Sequence, residues 1–269
     1  MRVTSLGSGS SGNAFLISSR ATTVLVDAGV PFRTLRAALD LASVPNLSAV
    51  LVTHEHIDHV RALPRLARLS PAPWFATSGT ASALSSDANT ESHPWEILGA
   101  GSPRNIGDLE VTAFHVSHDA REPVGFLIDD GDARAIIVTD LGAVSDGLAD
   151  VVAMAELVIF EANYDPVMLQ RGPYPASLKQ RISGPLGHLS NDDCAIFLAG
   201  AVTDRCRDIW LAHLSETNNR PGLAAAATEQ RLREAGRRPA VRPLPRRATV
   251  SWDSDAARLR PRQARLPLG

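Results

Sequence analysis

The apolar positions of this chain fall in short runs rather than long stripes. After an opening VTSL the sequence reads NAFLISSRATTVLVD, in which Ala14 to Ile17 and Thr23 to Val26 are apolar or β-branched and Ser18 to Thr22 is mostly polar. That pattern predicts a β-hairpin. Five further runs end on a side chain able to hold a metal or a proton: AVLVT before His54, VTAFHVS before His118, AIIVT before Asp140, LVIF before Glu161 and IWLA before His213. Continuous apolar runs of this length suit strands buried on both faces, and their polar exits predict one shared sheet edge.

Helical spacing lies between the strands. Leu35, Ala38, Leu39 and Ala42 share one face of Arg33 to Ala42, and Val60, Leu63 and Ala67 mark His59 to Leu69, where Pro64 is tolerable only in or near the first turn. Asn191 to Val202 is a third helix with Ser190 as N-cap and Asp193 completing a capping box. Gly222 to Gly236 is a fourth, with Gly236 placed to end it. Residues 85–105 are polar and read as loop. From Arg237 onward there are nine arginines, two aspartates and five prolines; ATVSW, Ala248 to Trp252, can add one edge strand ahead of a mobile tail. The expected organisation is one domain over 1–236 and a basic, proline-rich segment over 237–269, either a solvated terminus or a nucleic-acid arm.

Composition narrows the setting. With 269 residues, 44% hydrophobic and 21% charged, the chain has the make-up of a soluble globular protein, and a net charge of -2 leaves any nucleic-acid binding to local patches. It has neither an apolar run of membrane-spanning length nor a secretory leader pattern, so no membrane partner and a cytoplasmic location are expected. Cys194 and Cys206 fit neither redox nor zinc-ribbon spacing and read as buried, reduced thiols. The stretch GSGSSG, Gly7 to Gly12, matches the dinucleotide fingerprint, but only 14 residues separate Gly12 from Asp27, too few for a helix, a turn and a second strand. Without a following G-K-[ST], a P-loop is excluded as well.

The densest chemistry is THEHIDH, Thr53 to His59. In extended chain His54, His56 and Asp58 emerge on one side, and His59 follows where the chain turns into the next helix. These donors would strain around one ion but can divide between two adjacent divalent ions, for which zinc suits and manganese is admitted.

Here the sequence resembles the metallo-β-lactamase superfamily, whose first metal motif is H-x-H-x-D-H. Later motifs match at His118 in VSHDA, Asp140 in VTDLG and His213 in LAHLS. The resemblance implies an α/β, four-layer αββα sandwich with the site along one edge of the two sheets. It also implies that His54, His56 and His118 hold one metal, Asp58, His59 and His213 the other, and that Asp140 bridges both. His115 is read as structural, facing away from His118, and His93 as a surface residue.

SLGSGSSGN, E-x-N-x-D, YPxxLKxRI, GHLSN and LAHLSExNN further resemble the YycJ/WalJ branch, described as 5′-to-3′ exonucleases on DNA. This implies a dinuclear phosphodiesterase with DNA as partner, in which a metal-bridging hydroxide attacks phosphorus in line and Asp58 orients or deprotonates the water. Glu161 and His188 would protonate the leaving oxygen. Expected substrate contacts are Ser10, Ser11 and Asn13 in the glycine loop (otherwise a plain turn), Asn163, Tyr174 stacking a base, Ser190 and Asn191 at a helix N-terminus, and Arg171, Lys179 and Arg181 along a phosphate backbone, unless these charges form a solvated face. Tyr164 and Ala162 depart from the branch pattern, which is expected to touch substrate contacts. Asp27 would orient metal ligands from behind. Two other readings use the same residues: hydrolysis of a small, for example cyclic, phosphodiester or other small ester, and a non-catalytic metal-binding regulatory partner.

Overall fold

A computed structural model describes residues 1–41, 47–85 and 93–260. In chain order its strands are β1 (Arg2–Gly7), β2 (Ala14–Ser18), β3 (Thr23–Val26), β4 (Ala49–Leu51), β5 (Trp74–Ala76), β6 (Trp95–Ile97), β7 (Pro103–Ile106), β8 (Leu109–His115), β9 (Val124–Asp129), β10 (Arg134–Val138), β11 (Leu157–Glu161), β12 (Asp208–Ala212), β13 (Ala240–Pro243) and β14 (Val250–Asp253). The helices among these residues are α1 (Phe32–Leu41), α2 (Ile57–Val60), α3 (Leu63–Leu66), α4 (Ser78–Ser85), α5 (Leu148–Ala153), α6 (Pro166–Arg171), α7 (Ala176–Ile182), α8 (Asn191–Ala201), α9 (Pro221–Glu234) and α10 (Ser254–Leu259). The strands form two seven-stranded sheets, ordered β14-β1-β2-β3-β4-β5-β6 and β13-β12-β11-β10-β9-β8-β7.

The apolar runs are continuous because alternate residues serve two cores. In β10, Ala135 and Ile137 join the layer between the sheets, whereas Ile136 and Val138 join the layer under the outer helices. The same division separates Leu157 and Ile159 from Val158 and Phe160 in β11. Outside the second sheet pack α5, α8 and α9 through Leu148, Leu198 and Leu232; outside the first pack α1, α3 and α4 through Leu35, Leu63 and Leu84. This is the expected helix–sheet–sheet–helix sandwich. Phe126, fully buried between the sheets, illustrates what holds it: truncation to alanine would destabilise by about 3–5 kcal/mol.

Strand direction gathers the polar exits. β10, β11 and β12 are parallel, and β8 shares their direction through two antiparallel steps across β9. β3 and β4 are parallel in the other sheet, so Asp27 and His54 leave at the same end. The five exits therefore belong to two sheets rather than one, β4 standing apart from the other four. Thr53 stitches the sheets there, its carbonyl accepting the Val124 N–H at 3.1 Å. β8 is also not buried on both faces, since Glu110 is exposed between buried Leu109 and Val111.

The β2–β3 hairpin is present, with Phe15 opposite Val26. Gly236, at φ 71°, ends α9 as expected: its N–H reaches the Arg233 carbonyl and the Arg237 N–H reaches Leu232. Residues 59–69 form two short helices instead of one, and Pro64 falls in the first turn of α3, where a missing N–H breaks no helical bond. The expected loop over 85–105 contains β6 and β7. Both are edge strands with largely open faces, so they carry no apolar run to read. Ala42, assigned to the first helix, lies outside the described residues.

The segment after 236 supplies β13, β14 and α10, one strand more than ATVSW suggested. β13 edges the second sheet beside β12, and β14 edges the first beside β1. The arginine and proline of AVRP are tolerated because an edge strand needs fewer ladder bonds and less apolar cover. The Trp252 indole donates to Asp208 Oδ2 at 2.8 Å, and Arg260 pairs with the same carboxylate, so this segment clamps one sheet to the other. The mobile tail expected after ATVSW begins instead with helix α10, capped by Asp253, and its remainder over 261–269 lies outside the described residues. Among those described, no helix is long and apolar enough to cross a membrane.

Candidate metal centre

The heptapeptide THEHIDH leaves β4 in extended form, and His56, at φ -63° and ψ 146°, is the N-cap from which α2 starts. His54, His56 and His118 form a triangle of rings with centroids 4.7–5.1 Å apart. Donor atoms of Asp58, His59 and His213 form a second group, with His213 Nε2 3.4 Å and His59 Nε2 3.8 Å from Asp58 Oδ2. Asp140 lies between the groups: Oδ2 is 2.9 Å from His59 Nε2, and Oδ1 is 3.7 Å from His118 Nε2. All seven residues named from the sequence are thus brought together.

Each buried imidazole is held by one nitrogen and presents the other. His59 Nδ1 donates to Asp27 Oδ2 at 2.7 Å, His213 Nδ1 to Glu161 Oε1 at 2.8 Å, and His118 Nδ1 to the Gly187 carbonyl at 3.0 Å. Thr53 spends its hydroxyl proton on Asp27 and accepts from His54 Nδ1 at 3.1 Å. These bonds leave the Nε2 atoms turned toward one another and toward carboxylate oxygens, that of His59 also lying 3.1 Å from the Asn13 amide. His54 Nε2 and Asp140 Oδ2 are buried with no hydrogen-bond partner. Converging acceptors of this kind are stable only around cations, so the donor set fits divalent metal ions.

The surplus of carboxylate at this cluster calls for positive charge, a metal ion or, in its place, a proton on the rings. Burial opposes charge on His213, yet Asp140, Asp58 and Glu161 outweigh it and lift its pKa to about 10. Burial and the neighbouring His59 hold His54 well below the ordinary histidine range. Asp140 resists the upward push of burial because His213 and His59 keep it well below the carboxylate range. The backbone is strained at the same places: Asp27, Asp140 and His213, at φ 59°, 57° and 54°, are the non-glycine residues with positive φ among those described. Each follows a strand, β3, β10 or β12, and such residues carry roughly 1–3 kcal/mol of strain that surrounding bonds must hold.

Several expected roles change with the contacts. Glu161 is fully buried; Oε1 takes His188 Nδ1 (2.9 Å) and His213 Nδ1, while Oε2 takes the N–H groups of Leu141 (2.7 Å) and Leu189 (3.2 Å). Against the pull of burial, His188 and His213 lower its pKa to about 2, so it has no proton to give and serves to orient both rings. His188 keeps a 22% exposed side chain beside this cluster. His115 is exposed, apart from the donors. His93 is not a plain surface residue, since it stacks on Trp74 at 3.7 Å between centroids.

The substrate contacts fare unevenly. Asn13 is fully buried and spends its amide on the loop and on His59 Nε2 (3.1 Å), so it is no free donor. Asn163 is buried and donates to the His213 carbonyl at 2.8 Å. Ser190 caps α8, and Asn191 pairs with Asn219 (2.9 and 2.8 Å) while its N–H goes to the Tyr164 carbonyl, so this helix N-terminus is closed to a phosphate. Lys179 donates to the Gln170 carbonyl at the end of α6, and Arg181 is paired with Asp119 at 2.5 Å. Ser10 and Arg171 are exposed, and Ser11 and Tyr174 half-buried. Tyr164 and Ala162 are buried, so those departures alter packing rather than substrate contact.

The glycine loop is a built structure rather than a plain turn. A Cβ on Gly29 would overlap the Asp58 carbonyl and one on Gly12, at φ 143°, the Gly29 carbonyl, so the loop packs directly on the metal-binding segment. Ser8, Thr53 and Asn219 were missed as site residues. Ser8 accepts the His213 N–H at 2.9 Å, Thr53 links Asp27 to His54, and Asn219 holds the Ala162 and Asn163 carbonyls. Their small polar side chains stand inside recognisable motifs, but nothing in one dimension names their partners.

A two-sheet sandwich with a His/Asp cluster at its strand ends defines the class, and the β-lactamase superfamily domain matches residues 22–207. The chain is 38% identical over 234 residues to exodeoxyribonuclease YycJ of Bacillus anthracis, covering 86% of this chain and 89% of that protein. It is 36% identical over 235 residues to exodeoxyribonuclease WalJ of Streptococcus pneumoniae D39, covering 86% and 87%. The chain belongs to the β-lactamase superfamily, in the family of YycJ and WalJ. Among solved structures, zinc-bound PqqB from Methylobacterium extorquens shares the fold, with a TM-score of 0.72 at 19% identity over 93% of this chain and 99% of that one.

Proposed function

We propose that this protein is a dinuclear metal-dependent phosphodiesterase that removes nucleotides from DNA in the 5′-to-3′ direction. The observation that carries the reading is the meeting of two donor groups at Asp140, beside a partly exposed His188, in a chain related to exodeoxyribonucleases over most of its length. His54, His56 and His118 would hold one ion, Asp58, His59 and His213 the other, and Asp140 would be shared between them; zinc suits this set and manganese is an alternative. Such ions, when bound, would supply Lewis acidity toward a phosphoryl oxygen and acidify water.

The chain's own groups divide the remaining work. Asp58, with a side chain 16% exposed against 4% for Asp140, is the more open of the two carboxylates in the donor set and orients the attacking water. His188 is fixed through Nδ1, which leaves Nε2 for the leaving oxygen. Burial resists its protonation, but the Glu161 carboxylate prevails and raises its pKa, which favours an imidazolium able to donate a proton as the P–O bond breaks. The two cysteines, free and buried, support a cytoplasmic setting.

The test pairs 5′-phosphorylated single-stranded DNA with a small chromogenic phosphodiester, using metal-replete protein of measured metal content. Nucleotide release from the 5′ end is expected. Cleavage of the chromogen alone would move the assignment to a small-diester hydrolase. Cleavage of neither, with His54→Ala and Asp140→Ala indistinguishable from wild type, would remove the enzyme reading.

A further inference from the structure

The connection between β13 and β14 brings an arginine to the glycine loop. The Arg246 carbonyl packs on Gly7, where a Cβ would lie 2.6 Å from it, and the Arg246 Cγ and Cδ run across Gly9, 3.5 and 3.9 Å from the corresponding position there. Its guanidinium is only partly used. Nη2 donates to the Ser215 carbonyl at 2.9 Å, Nη1 is 3.9 Å from the exposed Glu216 carboxylate, and Nε is buried with no partner. The loop it crosses holds two members of one donor group, Ser8 through the His213 N–H and Asn13 through His59 Nε2. Ser10, next along from Gly9, is exposed.

We propose that Arg246 grips a phosphate of the nucleic-acid strand, next to the scissile one, against the Gly9–Ser10 segment of the glycine loop. A planar guanidinium with its aliphatic stem fixed over glycine loses little freedom on binding, and its spare N–H donors match a phosphate's oxygens. A Cβ at Gly7 would clash with the Arg246 carbonyl, and Gly9, at φ 141°, holds a backbone conformation that side chains disfavour while the arginine stem rests on it in ordinary contact. Sequence composition alone divides the basic C-terminal segment between solvated terminus and nucleic-acid arm, and this contact selects one arginine of it for binding. The assignment rests on the nuclease reading given above.

The test measures binding of the holoenzyme to phosphorothioate-linked single-stranded oligonucleotides, with 5′-phosphate and with 5′-hydroxyl ends, across a salt series. Arg246→Met keeps the stem over Gly9 and should weaken binding roughly ten- to hundredfold, with the log–log salt slope shallower by about 0.7. Arg246→Lys should restore the slope but only part of the affinity. A loss confined to the 5′-phosphorylated strand identifies the terminal phosphate; an equal loss on both identifies an internal one. Arg237→Met, at a surface pair with Asp204, serves as the control. Wild-type affinity and slope in Arg246→Met would overturn the assignment while leaving the nuclease reading intact. Absence of binding by the wild type would overturn both. If thermal unfolding shows that Arg246→Met has lost its fold, Arg246→Lys decides alone: reduced affinity supports the clamp, and unchanged affinity overturns it.

Discussion

The two halves of the candidate metal centre are built by opposite strategies. His54, His56, Asp58 and His59 come from one heptapeptide that runs out of β4 into α2, whereas Asp140, Glu161 and His213 come one each from the ends of the parallel strands β10, β11 and β12. In the first half local chain geometry sets the spacing; in the second the distance between neighbouring strands sets it. Yet each half rests on one buried carboxylate. Asp27 holds His59 and Thr53, and Glu161 holds His213 and His188. Precision at the site thus comes from a buried carboxylate behind each half, whether the donors were near or far apart in the chain.

The largest effect that would break this comparison is loss of a shared donor. Asp140→Ala should lower phosphodiester hydrolysis by about a thousandfold or more, because the residue touches both groups; metal content per chain, measured alongside, should fall by more than for His56→Ala. Next comes His188→Gln, which leaves the donors in place. It should slow cleavage of DNA by about a hundredfold but barely affect an aryl phosphodiester whose leaving group needs no proton. Equal losses on both substrates would remove His188 as the acid.

The symmetry of the supports is sharpened by Asp27→Asn and Glu161→Gln. Each should weaken metal affinity or activity about 10- to 100-fold. Glu161→Gln should in addition shift the alkaline limb of the pH–rate profile to lower pH, since His188 loses the carboxylate that raises its pKa. No such shift is expected for Asp27→Asn. The smallest effect concerns the metal-stripped protein. His213 sits at about 10 instead of the ordinary 6.5, so the stability it contributes should be complete below pH 6.5 and lost as the pH rises through 10. Chemical denaturation of the stripped protein at pH 6, 8 and 10 checks this, and His213→Asn should flatten the trend.

Legibility followed the same division. THEHIDH could be read as metal-binding because its donors are adjacent, and the apolar runs could be read as strands because both faces of each are buried. β6, β7 and β13 escaped, since edge strands with open faces carry no such run. Roles failed more often than identities. Glu161, Asn13, Asn163, Ser190 and Asn191 all lie at or near the centre, but their hydrogen bonds are spent within the protein. A sequence shows a polar residue near a motif; only packing shows whether its lone pairs and protons remain free.

What the sequence determined by itself was the set of donors, the two-sided burial of the central strands and the rejection of a dinucleotide site, all of which depend on residue type and local period. Tertiary structure decided that the exits belong to two sheets, that Glu161 orients rather than donates, that the glycine loop is pinned by Gly12 and Gly29 against Asp58, and that Arg246 lies over it. These are contacts between residues far apart in the chain, and their geometry exists only once both sheets have closed on their common core.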